Sequence, residues 1–388
     1  MDFGFSKGQE LLQKVVREFV DREVAPKAAE FDRTAEFDYE LIPKLAKMKL
    51  LGVVMPKEYG GQGASHIDQA IICEELARTS VVAAIISNMA WYMSYEVLRV
   101  GTEENKKRWI NYLFDGKKIG AHAGTEADAG TDAASVRTWA KLDGEEWVIN
   151  GTKSFVSNLG VADYYFLTLR TAPDRYGGVS TILVEKGTPG MKIGKRVDLI
   201  SNRAISNGEL VFSNCRVPKE NLIGRLNHGF YDMMAIYDVM RAHLAVMAVG
   251  LARAACEDAV KFAQERGQFG KPIAEFQMIR AMIADMATEI DAARLLAYRA
   301  LDMEDKGLRH TKETSMAKLY TSEMVERVTE RAMHIHGGYG LTRDFPIERY
   351  WRDSRLFTIG EGTSEIQRLL IAAEILKSEK IVLDSALD

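Results

Sequence analysis

The chain has 388 residues, 47% hydrophobic and 27% charged, with a formal net charge of −4. That length suits two or three domains, and so small a charge, with no block of like sign, offers no basic patch for nucleic acid or an anionic membrane. Cys73, Cys215 and Cys256 are far apart and odd in number, which argues against a disulfide framework or a CxxC metal site and suits a reducing compartment.

In chain order, the stretch up to residue 116 carries helical spacing. Leu11, Leu12, Val15, Val16, Phe19 and Val20 fall on one face, Ser6 and Gln9 have capping-box spacing, and Pro26 follows the predicted helix end. MDFGFSKGQELLQ lacks the basic-then-apolar pattern of a signal segment, so the expected location is cytoplasmic. Glycine-rich MPKEYGGQGASH predicts a turn, and DQAIICEELART and SVVAAIISNMAWYMSYEVL predict two further helices.

From residue 117 to residue 228 the texture changes. EEWVING, DYYFLTLRT and GVSTILVEKG are short runs of β-branched and aromatic residues between Gly, Pro, Asp and Asn, the pattern of an antiparallel β domain. Helical spacing returns in long segments over 229–388. The longest apolar run there, AHLAVMAVGLA, is too short to cross a bilayer. Eight prolines in all agree with a mainly helical chain. The expectation is mainly α with a middle antiparallel β domain, in three domains over 1–116, 117–228 and 229–388.

Phosphate and metal motifs are missing. GGQGASH and GGYGLTR lack the third glycine of a dinucleotide turn, and neither sits between a strand and a helix. His334 and His336 straddle Ile335 on a predicted helix and so point in different directions. TIGEGTSEIQ, residues 358–367, sets Glu361 between two glycines. Two readings stay open for it. One is a plain helix start, with Thr363 as the N-cap. The other is a catalytic base presented on a bend, where glycine lets a ligand approach the main chain.

Six segments occur in order along the chain: AHAGTEADAGTD (121–132), NGTKSFVSNLGVADYYF (150–166), RVPKENLIG (216–224), ERGQFGKPIAEFQ (265–277), GGYGLTRDFPIERYWRD (337–353) and EGTSEIQ (361–367). Together with MPKEYGGQG they resemble the acyl-CoA dehydrogenase family of FAD flavoproteins over essentially the whole chain. The resemblance implies an N-terminal helical domain, a β-barrel-like middle domain and a C-terminal four-helix bundle. It also implies FAD as cofactor, an acyl-CoA thioester as substrate, an electron-transferring flavoprotein as partner, and a homotetramer or, less often, a dimer.

Residue by residue, the resemblance makes Glu361 the base that removes the α-proton while the β-hydrogen leaves as hydride to the flavin. The donors it implies for the thioester oxygen are the amide of the base and a ribityl hydroxyl of the flavin. His122, Gly124 and Thr125 match positions at the flavin ring. Phe155 and Ser157 stand where the usual pattern has tryptophan and threonine. Arg266, Phe269 and Gln277 match residues that grip the FAD diphosphate and adenosine across a subunit interface, His334 replaces a customary glutamine there, and Thr363 matches an FAD-contacting threonine. Thr131 and Asp238 match positions on the CoA side, and Arg241 lies at a neighbouring family site that an ion pair would equally explain. Arg352 and Asp353 match a structural pair. Some relatives carry the base on the helix containing YDVMRAHL, but the corresponding residue here is Met240, which accepts no proton.

Two departures bear on the substrate. Gly360 replaces a common tyrosine, which leaves room for a branched, cyclic or aromatic acyl group. The helix SVVAAIISNMAWYMSYEVL aligns with one lining the acyl pocket and has no arginine to hold a distal carboxylate. Trp91, Tyr92 and Tyr95 are its candidate pocket residues, with ordinary core packing as the rival reading. Two alternatives to a dehydrogenase remain: a relative working as an enoyl-CoA reductase or oxygen-using flavoenzyme, and a non-catalytic helical scaffold.

Overall fold

The computed structural model describes residues 4–376. Six helices open the chain: α1 (Lys7–Glu23), α2 (Ala25–Thr34), α3 (Leu41–Lys47), α4 (His66–Thr79), α5 (Val81–Val100) and α6 (Glu103–Leu113). The capping box at Ser6 is formed, its hydroxyl accepting from the Gln9 amide while the Gln9 side chain accepts from the Ser6 amide. Pro26 does not simply close the first helix. It sits in the first turn of α2, where its missing N–H costs no helical bond.

The middle domain holds β1 (Gly120–Ala123), β2 (Trp139–Asp143), β3 (Glu146–Ser157), β4 (Tyr164–Arg170), β5 (Val179–Glu185), β6 (Met191–Arg196), β7 (Asn207–Pro218) and β8 (Leu222–Ile223). They form one sheet in the order β6-β7-β3-β2-β4-β5-β8, with β1 also on β4. The expectation of a purely antiparallel sheet needs correction, because β1 and β2 both pair parallel to β4. Short alternating runs do not encode strand direction. It is decided when β1, arriving from α6, enters the sheet beside β4.

The C-terminal part contains α7 (Gly229–Glu265), the two-residue strands β9 (Gly267–Gln268) and β10 (Lys271–Pro272), α8 (Gln277–Asp305), α9 (Thr311–His336), α10 (Ile347–Ile359) and α11 (Ser364–Leu376). Helix α9 packs against α7, α8, α10 and α11. One hydrophobic cluster runs through the N-terminal and C-terminal helices, while the sheet keeps a core of its own around Ile149, Leu167, Ile182 and Phe212. Helices α5 and α7 are long and apolar enough to cross a membrane, but 83% and 78% of their apolar windows are buried inside the protein. They are apolar all round because they are core helices.

Charged residues tie the blocks together. Glu74 of α4 accepts from Arg253 of α7 at 2.5 Å and from Arg294 of α8 at 3.2 Å, and Glu75 pairs with Arg17 of α1 at 2.9 Å. Arg352 of α10 reaches Asp32 of α2 at 2.6 Å and the Ile200 carbonyl of the middle domain at 2.9 Å, while Asp353 accepts from the Asn202 amide at 2.6 Å. These two neighbours thus brace three parts of the molecule against one another. Cys73, Cys215 and Cys256 are free thiols.

Candidate active site

Helix α10 ends at Ile359, and Gly360 follows with an ordinary φ of −68°. The left-handed residues are Glu361, at φ 57°, and Gly362, at φ 91°. A glutamate in that region is disfavoured by roughly 1–2 kcal/mol, so the surroundings must hold it. Arg241 of α7 donates from Nε to the Glu361 carbonyl at 2.9 Å. Lys318 of α9 donates from Nζ to the Gly362 carbonyl at 2.5 Å, and Gln367 of α11 reaches the same oxygen at 3.3 Å. Three helices therefore fix two consecutive carbonyls. Thr363 then caps α11, its hydroxyl accepting from the Ile366 amide at 3.4 Å.

The Glu361 side chain is left free by this arrangement. Its Oε2 is buried with no hydrogen-bond partner among the described residues. Burial pushes its carboxyl above the usual glutamate range, and the nearby cations of Arg241 and Lys318 oppose that rise without cancelling it. Lys318 is itself fully buried. Burial, seconded by Arg241, brings its ammonium down to about 8, with Glu361 and Glu365 pulling the other way. The phenols of Tyr92 on α5 and Tyr237 on α7 feel the Glu361 charge, though burial is the larger cause of their raised proton affinity. The Arg241 guanidinium lies 5.3 Å from the centre of the Tyr237 ring.

Asp238 accepts from Thr311 at 2.6 Å and stands 3.8 Å from Arg241, while Met240 next to it is 7% exposed. Trp91 and Tyr95 lie elsewhere. Trp91 is fully buried edge-on to His243, and the Tyr95 hydroxyl bridges His66 and Glu304 at 3.1 and 2.8 Å. Their polar atoms are spent within the helical core.

On the sheet, His122 of β1 meets the Thr168 hydroxyl at 3.2 Å and packs edge-on against Tyr237 at 6.0 Å. Burial and the charge of Lys153 hold its imidazole down to about 4. The loop after β1 is bolted to β3. Lys153 Nζ donates to the Gly124 carbonyl at 3.0 Å and to Glu126 at 2.8 Å, and the Ser154 amide donates to the Thr125 carbonyl at 2.8 Å. A bulge between Lys153 and Val156 turns Phe155 to φ 53° and leaves its ring 59% exposed. Asn207 binds the Phe155 carbonyl at 3.2 Å and approaches Ser157 at 3.5 Å, while its own Oδ1 is buried and unpartnered. An uncovered aromatic face, the Thr125 and Ser157 hydroxyls, and an orphaned amide oxygen suit a planar ligand with polar edges. These residues fit a flavin ring. Thr131 sits exposed further along the same loop.

Arg266, Phe269, Gln277 and His334 gather at another place, the exposed end of the helical bundle. Phe269 is 93% exposed at φ 53° in the β9–β10 turn, and Arg266 lies 5.4 Å from the Tyr339 ring. Gln277 begins α8, and His334 is exposed on the last turn of α9. Its neighbour His336 faces inward and stacks on Phe262 at 4.4 Å.

Sequence reasoning missed Lys318, Gln367, Tyr237 and Lys153. One signal for Lys318 was available: it interrupts a helical stripe otherwise made of Thr314, Ala317, Thr321 and Val325, all buried. A lysine at such a position needs a partner across the core.

The chain is similar to known proteins along nearly its whole length. Residues 6–117, 121–215 and 227–376 match the N-terminal, middle and C-terminal domains of acyl-CoA dehydrogenase. The chain is 41% identical over 380 residues to acryloyl-CoA reductase (NADH) of Anaerotignum propionicum, covering 97% of this chain and 96% of that protein. It is 37% identical over 376 residues to a subunit of the caffeyl-CoA reductase-Etf complex of Acetobacterium woodii, covering 96% and 99%. Among solved structures, butyryl-CoA dehydrogenase from Megasphaera elsdenii superposes with a TM-score of 0.94 at 34% identity, over 97% of this chain and 100% of that one.

Proposed function

The chain belongs to the acyl-CoA dehydrogenase family of oxidoreductases, and from that premise we propose that it interconverts a saturated acyl-CoA and its 2,3-enoyl-CoA with Glu361 as the acid–base group. The observation that carries this reading is the Glu361 turn: a buried carboxyl with a free oxygen, on a strained main chain held by Arg241 and Lys318.

A thioester α-proton is a poor acid, so its base must have a raised proton affinity and a fixed position. Burial supplies the first and the carbonyl clamp the second. In the oxidising direction the carboxylate takes the α-proton, the β-hydrogen leaves with its electron pair, and the α,β double bond forms. FAD, when bound, supplies the acceptor for that hydride. The Glu361 amide is the chain's donor to the thioester oxygen, on which negative charge develops as the proton leaves. Thr125, Phe155 and Ser157, beside His122 and Gly124, would hold the flavin ring, and Thr363 would touch the cofactor while capping α11. Arg266, Phe269, Gln277 and His334 would hold the diphosphate and adenosine of a second copy's cofactor. Their exposure at the bundle end supports a homo-oligomer, for which we take the tetramer. Thr131, Asp238 and Arg241 lie toward the CoA side.

Gly360 supports a bulky acyl group. A Cβ there would come within 3.2 Å of Leu356 Cδ1 and 3.3 Å of the Leu356 carbonyl, so the glycine leaves room that a tyrosine would take from the ligand and from Leu356. A reductase reading has its own support in the two reductases above, and electron-transferring flavoprotein is the partner that the Etf-complex relative suggests. A protonated, buried Glu361 would serve that direction equally well, returning the proton to the α-carbon. The test is anaerobic titration of the FAD-loaded protein with linear, branched, alicyclic and aryl thioesters. Flavin bleaching by a saturated thioester is expected, as is recolouring of the reduced protein by the matching enoyl thioester. Glu361→Gln should keep flavin and bind thioester yet lose at least ~1000-fold in the rate of bleaching. Full bleaching by that variant would place the base elsewhere.

A further inference from the structure

Five helices meet at a buried string of side chains that the Glu361 chemistry does not use. His243 Nε2 of α7 stands 3.1 Å from His66 Nδ1 at the start of α4, and His66 Nε2 stands 3.1 Å from the Tyr95 hydroxyl of α5. Tyr95 donates to Glu304 of α8 at 2.8 Å, and Arg99 donates to the same oxygen at 2.7 Å. His310, just before α9, reaches the other Glu304 oxygen at 2.8 Å and the Thr314 hydroxyl at 2.8 Å. Both imidazoles at the inner end are buried, His243 completely.

The carboxylate sets the direction of the bonds. Burial raises the Glu304 carboxyl, but its bonds to His310 and Tyr95 and the charge of Arg99 outweigh that and hold it down to about 2, so it only accepts. Tyr95 therefore spends its proton on Glu304 and accepts from His66, which makes His66 the Nε2–H tautomer. His66 Nδ1 then accepts from His243 Nε2–H. His243 Nδ1 is left as a bare lone pair, buried with no hydrogen-bond partner among the described residues. The string is built for two neutral imidazoles. A first added proton must turn His243 over to its other tautomer and leaves a buried cation 4.0 Å from a carboxylate that Arg99 already neutralises. A second sets N–H against N–H.

The facing charges do not relieve this. Burial is the largest influence on His66; Glu304 favours its charging, Arg99 and His310 oppose it, and the imidazole is brought down from 6.5 to about 4. Burial and His66 together hold His243 well below 6.5, with Glu304 pulling the other way. Of the other acids here, Asp305 accepts from the His66 and Ile67 amides at 2.7 and 3.3 Å, and Asp68 caps its own helix at Ser65. We propose that the His243–His66–Tyr95–Glu304–His310 string is an acid-sensitive latch, which fastens the N-terminal helices α4 and α5 to α7, α8 and α9 at neutral pH and loosens that joint on acidification. When the joint opens, both imidazoles reach water and regain their ordinary proton affinity. The latch is thus at full strength above the ordinary histidine value of 6.5 and weakens as pH falls from there toward the folded value. One pH unit below it, each freed histidine favours the open form by roughly tenfold.

The experiment is amide hydrogen exchange of the FAD-loaded full chain, read by mass spectrometry and corrected for the intrinsic effect of pH, at about pH 7.5 and about pH 5.5, on either side of the ordinary imidazole. Protection of residues 66–70, 92–99 and 302–314 should fall by about a hundredfold between the two, roughly tenfold for each histidine. Strand β7, in the separate core of the sheet, should keep its protection. His66→Gln and His243→Gln should each leave a fall of about tenfold, and the double variant almost none. His336→Gln, which removes a buried histidine stacked on Phe262 outside the string, should leave the fall unchanged. Wild-type protection that does not respond to pH overturns the proposal. So does an equal fall at β7, which would mean opening of the whole fold, a fall that survives in the double variant, or one that disappears in His336→Gln. Should the double variant not fold, either single variant decides, a fall as large as the wild type's counting against the latch.

Discussion

At the residue scale, the base and its two cations form one electrostatic unit. Glu361 is raised by burial and restrained by Arg241 and Lys318, so its ionisation controls the rate on the acid side. Removing the charge of Lys318 takes away a restraint and must raise Glu361 further. The acid limb of the pH profile for bleaching should therefore move upward in Lys318→Met and Lys318→Gln, and stay in place in Lys318→Arg. The shift expected from one nearby buried charge is about one pH unit. A limb that stays put in a folded, flavin-loaded Lys318→Gln would reduce Lys318 to a backbone brace. Stability has the opposite sign from activity. A carboxyl with a raised folded pKa prefers to keep its proton, so ionisation weakens the fold as pH rises past the unfolded value. Glu361→Gln should melt higher than the parent at neutral and alkaline pH. The gain should vanish in acid below the ordinary glutamate range, where both carry a neutral side chain.

At the element scale, the joint between α10 and α11 explains why the two glycines around Glu361 differ. Gly362 has φ 91°, and a Cβ there would stand 2.9 Å from Gln367 Nε2 and 3.4 Å from Arg241 Nη2, two parts of the clamp. Gly362→Ala should cost at least about 1–2 kcal/mol of stability from backbone strain alone and lower the bleaching rate by disturbing the carbonyl it holds. Gly360, at φ −68°, has an ordinary backbone that any side chain tolerates. A Cβ there would still press on Leu356 Cδ1 at 3.2 Å and its carbonyl at 3.3 Å, so Gly360→Tyr should fold with Leu356 displaced and lose bulky thioesters while keeping short linear ones; equal loss of both would mean that the glycine serves the backbone instead. Much of this joint was legible in the sequence, because Thr363 announces α11 and the glycines announce a turn. What could not be read is that Glu361 itself takes the left-handed conformation. Local propensity would give that to a glycine, and only Arg241 and Lys318, 120 and 43 positions away, decide otherwise.

For the whole molecule, the proposed site draws on all three parts of the fold. Glu361 and Arg241 come from the C-terminal helices, Tyr92 from the N-terminal ones, and His122 and Thr125 from the sheet. Arg352 is the brace between them, bound to Asp32, Glu348 and the Ile200 carbonyl. Arg352→Met leaves Asp32 and Glu348 without their cation and should destabilise the protein by about 3 kcal/mol. It should also release bound FAD at a lower temperature than in the parent, with the two losses coinciding in one melting experiment. The α5 helix shows the same dependence on the whole. Its sequence announces an aromatic, apolar helix, but not that Trp91 and Tyr95 face His243 and Glu304.

The sequence by itself determined the helix–sheet–helix order, the caps at Ser6 and Thr363, and the family to which the chain belongs. Periodicity, capping chemistry and motif order are local or linear properties, so one chain of letters carries them in full. Only the tertiary structure decided that the middle sheet is mixed and that the buried Lys318 reaches the Gly362 carbonyl. Strand direction, partners across a core and the burial of a charge all depend on residues far apart in sequence, and no local pattern encodes which of them will meet.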